Sequence, residues 1–195
     1  MKGCRPDPAC GAKGLRDYSL RGMVGFYIAE KRRRALAELK NFRDQPFEAA
    51  VHRAALARDP DGKRFGHQRR LKRPELRKAE GILSESLGKL RHSKSFAALH
   101  ELIIVLLEGV SGLGELYYYD TALRIGANLN KMPQRVYLHR GTREGARALG
   151  LDWRADSIDP SMVPKELGVL EPHEMEDFLC IFKDDLRSAV RLRKQ

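Results

Sequence analysis

The sequence predicts an all-α protein, and three observations support this fold class. Apolar residues recur at the spacing of helix faces, no run alternates as a half-buried strand would, and prolines and glycines mark helix ends. The chain has 195 residues, of which 42% are hydrophobic, so it can bury a real core. We therefore expect one compact multi-helix domain over residues 21–195, preceded by a flexible tail at residues 1–20.

Three helices are predicted in the first 90 residues. The first covers about residues 23–42, where apolar and basic residues alternate at helical spacing. The second runs from Pro46 to about residue 58 and the third from Pro74 to about residue 90, because proline suits the first position of a helix. Residues 59–62, Asp-Pro-Asp-Gly, predict the turn between the second and third helices.

The centre of the chain has the clearest helical pattern. Five apolar residues there follow the spacing of one buried helical stripe. They are Phe96, Leu99, Ile103, Leu106 and Leu107. Ser93 or Ser95 can supply the N-cap of this helix, and another helix is predicted over about residues 115–129.

The C-terminal part is predicted to hold a short extended piece and two more helices. The extended piece covers residues 136–139, and the helix after it covers residues 142–149, with Gly150 as its left-handed cap. The final helix covers about residues 172–192 and is expected to bury four apolar residues. They are Met175, Phe178, Phe182 and Leu186.

The positive charge is concentrated in the first two-fifths of the chain. The formal net charge is +11 at pH 7; residues 1–80 carry 21 Lys and Arg against 10 Asp and Glu, whereas residues 81–195 carry 16 of each. A basic region of this kind is typical of proteins that bind nucleic acid or another polyanion. The structural alternative is a solvated helical surface that happens to be rich in lysine and arginine.

Several other classes of protein are excluded. The longest apolar run, residues 102–107, is far shorter than the ~20 residues that span a bilayer, and residues 1–20 hold no apolar core of a secretory signal. Cys4, Cys10 and Cys180 are too few and too scattered for a disulfide scaffold. We expect a soluble, cytoplasmic protein that needs no cofactor and binds no membrane.

Gly112, Leu113 and Gly114 lie between two predicted helices. Two glycines around an apolar residue let the backbone turn tightly and approach a ligand closely. The helix that follows offers the N–H groups of its first turn and the positive end of its dipole, which favour an anion such as phosphate. The segment therefore predicts a phosphate-binding turn, with the amides around Leu113, Gly114 and Glu115 as donors.

This arrangement resembles the helix-hairpin-helix motif of DNA repair proteins, which holds the sugar-phosphate backbone through hairpin amides. Residues 96–152 are also similar to the second half of the helix-hairpin-helix DNA glycosylases, because an extended piece and a Leu-Gly-Leu helix end follow at comparable separations. Tyr137 stands where the catalytic Asp of that family would be, and Leu116 stands where the lysine of its bifunctional members would be. The resemblance implies DNA as a partner, without glycosylase chemistry.

The segment Leu-Tyr-Tyr-Tyr-Asp-Thr-Ala-Leu-Arg-Ile-Gly is similar to bacterial proteins of unassigned function. This similarity implies no activity, but it indicates that five residues belong to one centre. They are Tyr119, Asp120, Arg124, His139 and Arg143. Asp120 and Arg124 have the spacing of a helical ion pair, which is either structural or orients Arg124 onto a phosphate.

Two further groups leave structural and functional interpretations open. Three consecutive tyrosines on a helix point in three directions, so at least one is expected at the surface, where it would stack on a base. The alternative is that the tyrosines belong to the core, with their hydroxyls at its edge. Residues 139–143 place an imidazole, two guanidiniums and a hydroxyl before a helix, which suits an anion site. Thr142 can equally be the N-cap of that helix.

Catalytic and metal sites are less well defined. One face of the last predicted helix carries four side chains that can bind a metal ion, namely His173, Asp177, Cys180 and Asp184. Acidic residues at a helix start, however, more commonly interact with the positive end of the helix dipole. Cys180 lies between apolar residues, as a small buried hydrophobe does. We therefore expect no metal site, and whether the protein is an enzyme stays open.

We interpret the chain as a sequence-independent nucleic-acid-binding protein, with duplex DNA as the expected ligand. The predicted domain divides into a basic half at 21–90, a helix-hairpin-helix-like core at 91–152 and C-terminal helices at 153–195. The predicted contact residues are Gly112, Leu113, Gly114, Glu115, Arg124, Lys131, Arg135, His139, Arg140, Thr142, Arg143, Arg33, Arg34, Arg69, Arg70, Lys72 and Arg73. The alternatives are a glycosylase-like or nuclease-like enzyme and a basic module that binds an acidic protein.

Overall fold

A computed structural model describes residues 14–192 and confirms the predicted all-α class. Ten α-helices make up most of the described residues, joined by short loops and 3-10 turns. They are α1 (Leu20–Glu30), α2 (Arg32–Arg43), α3 (Phe47–Ala55), α4 (Arg73–Glu85), α5 (Leu87–Arg91), α6 (Phe96–Leu107), α7 (Glu115–Asn128), α8 (Arg140–Ala148), α9 (Pro172–Ile181) and α10 (Lys183–Leu192). Residues 1–13 of the predicted tail, with Cys4 and Cys10, lie outside the described residues.

The described residues form two compact units. The first unit joins residues 14–33 to residues 134–192, and the second is Arg34–Pro133. The first unit contains α1, α8, α9 and α10, and the second contains most of α2 together with α3 to α7. The domain boundaries expected from the sequence stay a prediction. Within residues 14–192, no helix has both the length and the hydrophobicity that a bilayer crossing requires.

Three helices that the sequence predicts as continuous are pairs of helices in the structure. The first is broken at Lys31, the third at Ser86 and the last at Phe182. None of these positions holds proline or glycine, the residues that mark helix ends in a sequence, so no local pattern indicates the breaks. Phe182 is fully buried, with its ring centroid 4.7 Å from that of Phe178, and the four apolar residues predicted to be buried by the last helix are all buried despite the break.

The first unit packs its helices beside a small sheet. The predicted extended piece is confirmed as β1 (Val136–Tyr137), which pairs antiparallel with β2 (Ser157–Ile158), a strand that the sequence did not predict. Helix α8 crosses α9 closely because two glycines one turn apart face it. A Cβ on Gly141 would lie 2.8 Å from the Cys180 Sγ, and one on Gly145 would collide with the Leu179 carbonyl.

The second unit is built around α3, α4, α6 and α7. Four of the five predicted stripe residues of α6 are buried, Leu106 is half-buried, and Ser95 caps the helix by accepting the Ala98 amide at 3.2 Å. The predicted turn at residues 59–62 is confirmed, with Gly62 at φ +75° and its amide donating to the Asp59 carbonyl.

The expectation of a surface tyrosine on α7 is wrong. All three tyrosines, Tyr117, Tyr118 and Tyr119, are buried. Helix α7 packs against both α3 and α6, so more than one of its sides is covered by neighbouring helices. The Tyr117 hydroxyl donates to the Ala55 carbonyl at 2.6 Å, which ties α7 to the end of α3. These tyrosines therefore belong to the core, where a base cannot stack on them.

Candidate nucleic-acid interface

The turn between α6 and α7 is a tight hairpin that Tyr118 holds from inside. Gly112 has φ +82°, in the left-handed region that favours glycine. The Leu113 amide donates to the Val110 carbonyl at 3.3 Å, and the Tyr118 hydroxyl lies 3.2 Å from the Leu113 carbonyl oxygen. These contacts fix the shape of the turn and leave its outer edge, Ser111 and Gly112, exposed.

No side chain caps the first turn of α7. Gly114 is the N-cap residue, with extended backbone at φ −148°. Glu115 places one carboxylate in the first turn, near the positive end of the dipole, but no side chain of the N-cap residue occupies the first N–H groups of the helix. The Leu113 amide is already bonded within the turn, so we no longer count it among the expected phosphate donors.

A cavity of about 130 Å³ joins the hairpin to the basic segment at the start of α4. Its lining comes from both places and consists of Ser111, Gly112, Arg70, Leu71, Lys72 and Glu75. Lys72 is the N-cap residue of α4, and this helix start also has no capping side chain. Since a water molecule takes up about 30 Å³ in the liquid, the cavity has room for a phosphate-sized group.

The segment beside the cavity is held in place and strongly cationic. A guanidinium NH of Arg64 donates to the Leu71 carbonyl at 2.8 Å, which fixes the approach to α4. Partial burial and the neighbouring Arg73 and Arg58 lower the pKa of Arg64, because several cations crowd this region. Lys72 and Arg73 are exposed and make no ion pair with any residue in the described part of the chain.

Glu75 is the counter-charge within the cavity lining. It lies in the first turn of α4, where a carboxylate answers the helix dipole. Its Oε2 atom is buried and accepts no hydrogen bond within residues 14–192. The cavity therefore combines the basic segment with one carboxylate, and the carboxylate limits the attraction that an anion experiences there.

Arg124 lies in the interior of the second unit, away from solvent. Its side chain is 3% exposed, with Nε 3.0 Å from Glu38 Oε1 and an NH donating to Gln68 Oε1 at 3.0 Å. The predicted ion pair is confirmed, since Arg124 lies 3.7 Å from Asp120, and its guanidinium also stacks on Phe65 at 3.8 Å. This geometry favours the structural interpretation, and we drop Arg124 as a phosphate contact.

Asp120, the predicted ion-pair partner of Arg124, is surrounded by further polar groups. Its Oδ2 accepts from the Gln68 amide at 2.9 Å and lies 2.7 Å from the His67 Nε2. Partial burial alone would lower the pKa of His67, but the charge and hydrogen bond of Asp120 raise it above the ordinary value. A carboxylate engaged by an imidazole, an amide and a guanidinium acts as an anchor between chain segments.

His139 and Thr142 form the start of α8 rather than an anion site. His139 is the N-cap, and its Nδ1 accepts the Gly141 amide at 3.3 Å. The Thr142 hydroxyl oxygen accepts the His139 amide at 2.6 Å, which completes a reciprocal capping box. The prediction of Thr142 as the N-cap is therefore wrong by three residues, and both side chains are buried.

The buried imidazole of His139 also has a carboxylate partner. Because Nδ1 accepts a hydrogen bond, the proton lies on Nε2, which donates to Glu176 Oε1 at 2.5 Å. His139 and Glu176 are 3% and 6% exposed, so a substrate does not reach them from solvent. The pair stabilises the contact between the start of α8 and α9.

The other predicted contact residues are spread over both units. Lys131, in the second unit, donates from Nζ to the Arg91 carbonyl at 3.2 Å. In the first unit, Arg135 donates to Ser157 Oγ at 2.8 Å, whereas Arg140 is exposed and lacks an ion-pair partner in residues 14–192. The five residues expected to share one centre divide between the units, with Tyr119, Asp120 and Arg124 in one and His139 and Arg143 in the other.

The structure gives no support to a metal site on the last helices. Across residues 14–192, no group of three or more His, Cys, Asp or Glu side chains is placed to hold a metal ion. The break at Phe182 separates Asp184 from the rest of the predicted helical face. Asp177 instead accepts the Tyr27 hydroxyl at 3.0 Å, and this contact joins α9 to α1.

No protein-family model matches the chain, and neither does any curated protein or solved structure. The helix-hairpin-helix resemblance therefore stays a prediction. Sequence reasoning missed the cavity residues Leu71 and Glu75, and it missed a cluster of Arg147, Trp153 and Arg154. The one available signal was the single tryptophan of the chain lying among arginines.

Proposed function

We propose that the protein binds nucleic acid without sequence preference and holds the phosphate backbone at one surface of the second unit. This hairpin surface consists of Arg70, Lys72, Arg73, Ser111, Gly112 and Gly114. The observation that carries the proposal is the shared cavity. Two features with anion-binding chemistry, a glycine turn and a basic helix start, line the same cavity although they are distant in sequence.

A phosphate at this cavity would be stabilised in two ways. The starts of α4 and α7, both without capping side chains, attract an anion through their dipoles. Lys72 and Arg73 add full charges, and each cation that neutralises a phosphate releases condensed counterions from the nucleic acid. All of these groups recognise the backbone, which is the same at every base pair, so they position the protein without reading sequence.

Cations elsewhere add long-range attraction. Arg33 and Arg34 on α2 are exposed and form no ion pair with the residues that the structure describes. Other basic residues are neutralised locally, as Arg32 is by Glu174 at 2.7 Å and Arg91 is by Glu48 at 2.6 Å. The basic first half is therefore only partly available to a polyanion, and its exposed cations without an ion pair in the described residues include Lys72 and Arg73.

Binding to several duplexes of equal length and unrelated sequence tests this proposal. Fluorescence anisotropy with labelled duplexes is expected to give dissociation constants that agree within a few-fold, because backbone contacts carry no sequence information. A strong preference for one sequence would contradict the sequence-independent mode. Absence of binding to every duplex, together with binding to polyglutamate, would instead favour the acidic-protein alternative.

A further inference from the structure

The face of α8 that points away from α9 is a row of arginines. Helical geometry places Arg140, Arg143 and Arg147 on one side, at spacings of three and four residues. Gly141 and Gly145 lie on the opposite side, against α9. The arginine row belongs to the first unit, whereas the hairpin surface belongs to the second.

Trp153, the single tryptophan of the chain, lies beside this row and is half-buried. The guanidinium carbons of Arg147 and Arg154 lie 5.3 Å and 4.4 Å from its ring centroid, within the range of cation–π contact. Arg143 donates to the Trp153 and Ala155 carbonyls at 3.1 Å and 2.7 Å, and these bonds hold the loop against α8. The indole and the guanidiniums thus form a fixed group of planar, cationic side chains.

The charges of this group are not neutralised within the described structure. Arg140, Arg147 and Arg154 are exposed, and residues 14–192 supply no ion pair to any of them. Their neighbours are different: Arg143 lies 3.6 Å from Asp156, and Arg187 lies 3.3 Å from Glu144. Arg147 and Arg154 therefore lie beside the ring, and Arg140 adds a third exposed cation on the same face of α8.

We infer that this arginine–tryptophan surface, made of Arg140, Arg147, Trp153 and Arg154, binds single-stranded nucleic acid. Bases outside a duplex expose their planar faces, which stack on aromatic rings and on guanidinium planes. The arginines that flank the ring supply the charge for the adjoining phosphates. In a duplex the base faces are covered by their neighbours, so this surface favours unpaired over paired nucleotides. The inference rests on the proposed function and adds a second surface with a different preference.

The single tryptophan provides a direct test. Titrating the protein with an oligothymidylate is expected to quench the Trp153 emission, with the same midpoint as the anisotropy of the labelled oligonucleotide. A duplex of equal length is expected to change the anisotropy with much less quenching. Anisotropy that reports oligothymidylate binding while the emission stays constant would overturn this inference alone. No binding to either nucleic acid would overturn both it and the proposed function.

Matched variants locate the effect. The double variant Arg147→Gln, Arg154→Gln is expected to reduce the salt-dependence slope for oligothymidylate by about 1.4, since each phosphate contact of a single strand contributes about 0.7. Arg187→Gln, at an ion-paired arginine of the same unit, is expected to leave the slope unchanged. Trp153→Ala is expected to raise the dissociation constant ~5- to ~150-fold, and Trp153→Phe to raise it less, because phenylalanine still stacks and still packs. Equal oligothymidylate affinity in the wild type and the double arginine variant would contradict the inference. That comparison holds even where Trp153→Ala fails to fold.

Discussion

Gly112 and Lys72 line the same cavity in the second unit, although one belongs to the α6–α7 hairpin and the other caps α4. The two residues suit an anion site in different ways. Gly112 allows the left-handed backbone of the turn, and Lys72 adds a positive charge at a helix start. Their proximity turns two local patterns into one surface.

The hairpin is expected to depend on glycine at residue 112 but not at residue 109. Gly112→Val forces a β-branched residue to φ +82°, which costs about 1–2 kcal/mol of unfolding free energy and reshapes the turn. Duplex binding should weaken while the helical circular dichroism signal is retained. Gly109→Val is the matched control, since Gly109 lies in the same loop without a positive φ. If both variants bind duplex equally well, the turn does not contribute.

A negative charge at residue 114 is expected to weaken binding without weakening the fold. Gly114 has the extended backbone of an N-cap, so both Gly114→Asp and Gly114→Asn can cap α7, changing the unfolding free energy by a few tenths of a kcal/mol. The two side chains have nearly the same shape and differ in charge. Anisotropy should show weaker duplex binding for Asp than for Asn. Identical affinities would exclude a phosphate at the start of α7.

Arg124 is expected to stabilise the protein rather than to touch ligand. Arg124→Ala removes the buried cation between Glu38 and Asp120, which are themselves partly exposed, and leaves the Gln68 oxygen without its donor; this should lower the unfolding free energy by about 1–3 kcal/mol. Lys40→Ala removes an exposed pair with Asp44 and should cost less than ~1 kcal/mol. Urea denaturation compares the two variants. Equal, small effects would show that the Arg124 cluster is not a stabilising anchor.

The contact between His67 and Asp120 predicts a specific pH dependence of stability. Because the pKa of His67 in the folded state lies above its ordinary value of 6.5, the protonated imidazole stabilises the fold. This contribution is complete below pH 6.5 and is lost as the pH rises through the raised pKa. The stability difference between the wild type and His67→Gln should therefore shrink as the pH rises. A difference that grows over that range, measured by urea denaturation, would contradict the assignment.

Local patterns predict the helices well where a single face is buried. The α6 stripe and its Ser95 cap follow directly from spacing, as does the left-handed Gly150 after α8. The break at Lys31 does not, because the apolar and basic residues keep helical spacing across it and no proline or glycine marks it.

Contacts with residues distant in sequence explain why some predicted site residues have structural roles instead. Arg124 is recognisable from sequence as one half of an i,i+4 pair, but Glu38 and Gln68, which bury it, come from two other segments. His139 looks like an exposed ligand-binding imidazole until the structure supplies Glu176 as its partner. Conversely, the cations of Lys72 and Arg73 stay exposed, as the density of charge around them indicates. A dense run of cations without nearby acidic residues therefore predicts exposed side chains more dependably than a single charged residue on a helix does.

The salt dependence of duplex binding measures how many phosphates the hairpin surface contacts. If phosphates occupy the hairpin surface, the affinity of the wild type should fall steeply between about 50 and about 200 mM salt. Lys72→Gln should then reduce the slope of log affinity against log salt by about 1, while Lys94→Gln, at an exposed lysine of the same unit that does not line the cavity, leaves it unchanged. An affinity that does not change with salt, or a Lys72→Gln slope equal to that of the wild type, would contradict phosphate binding at this surface.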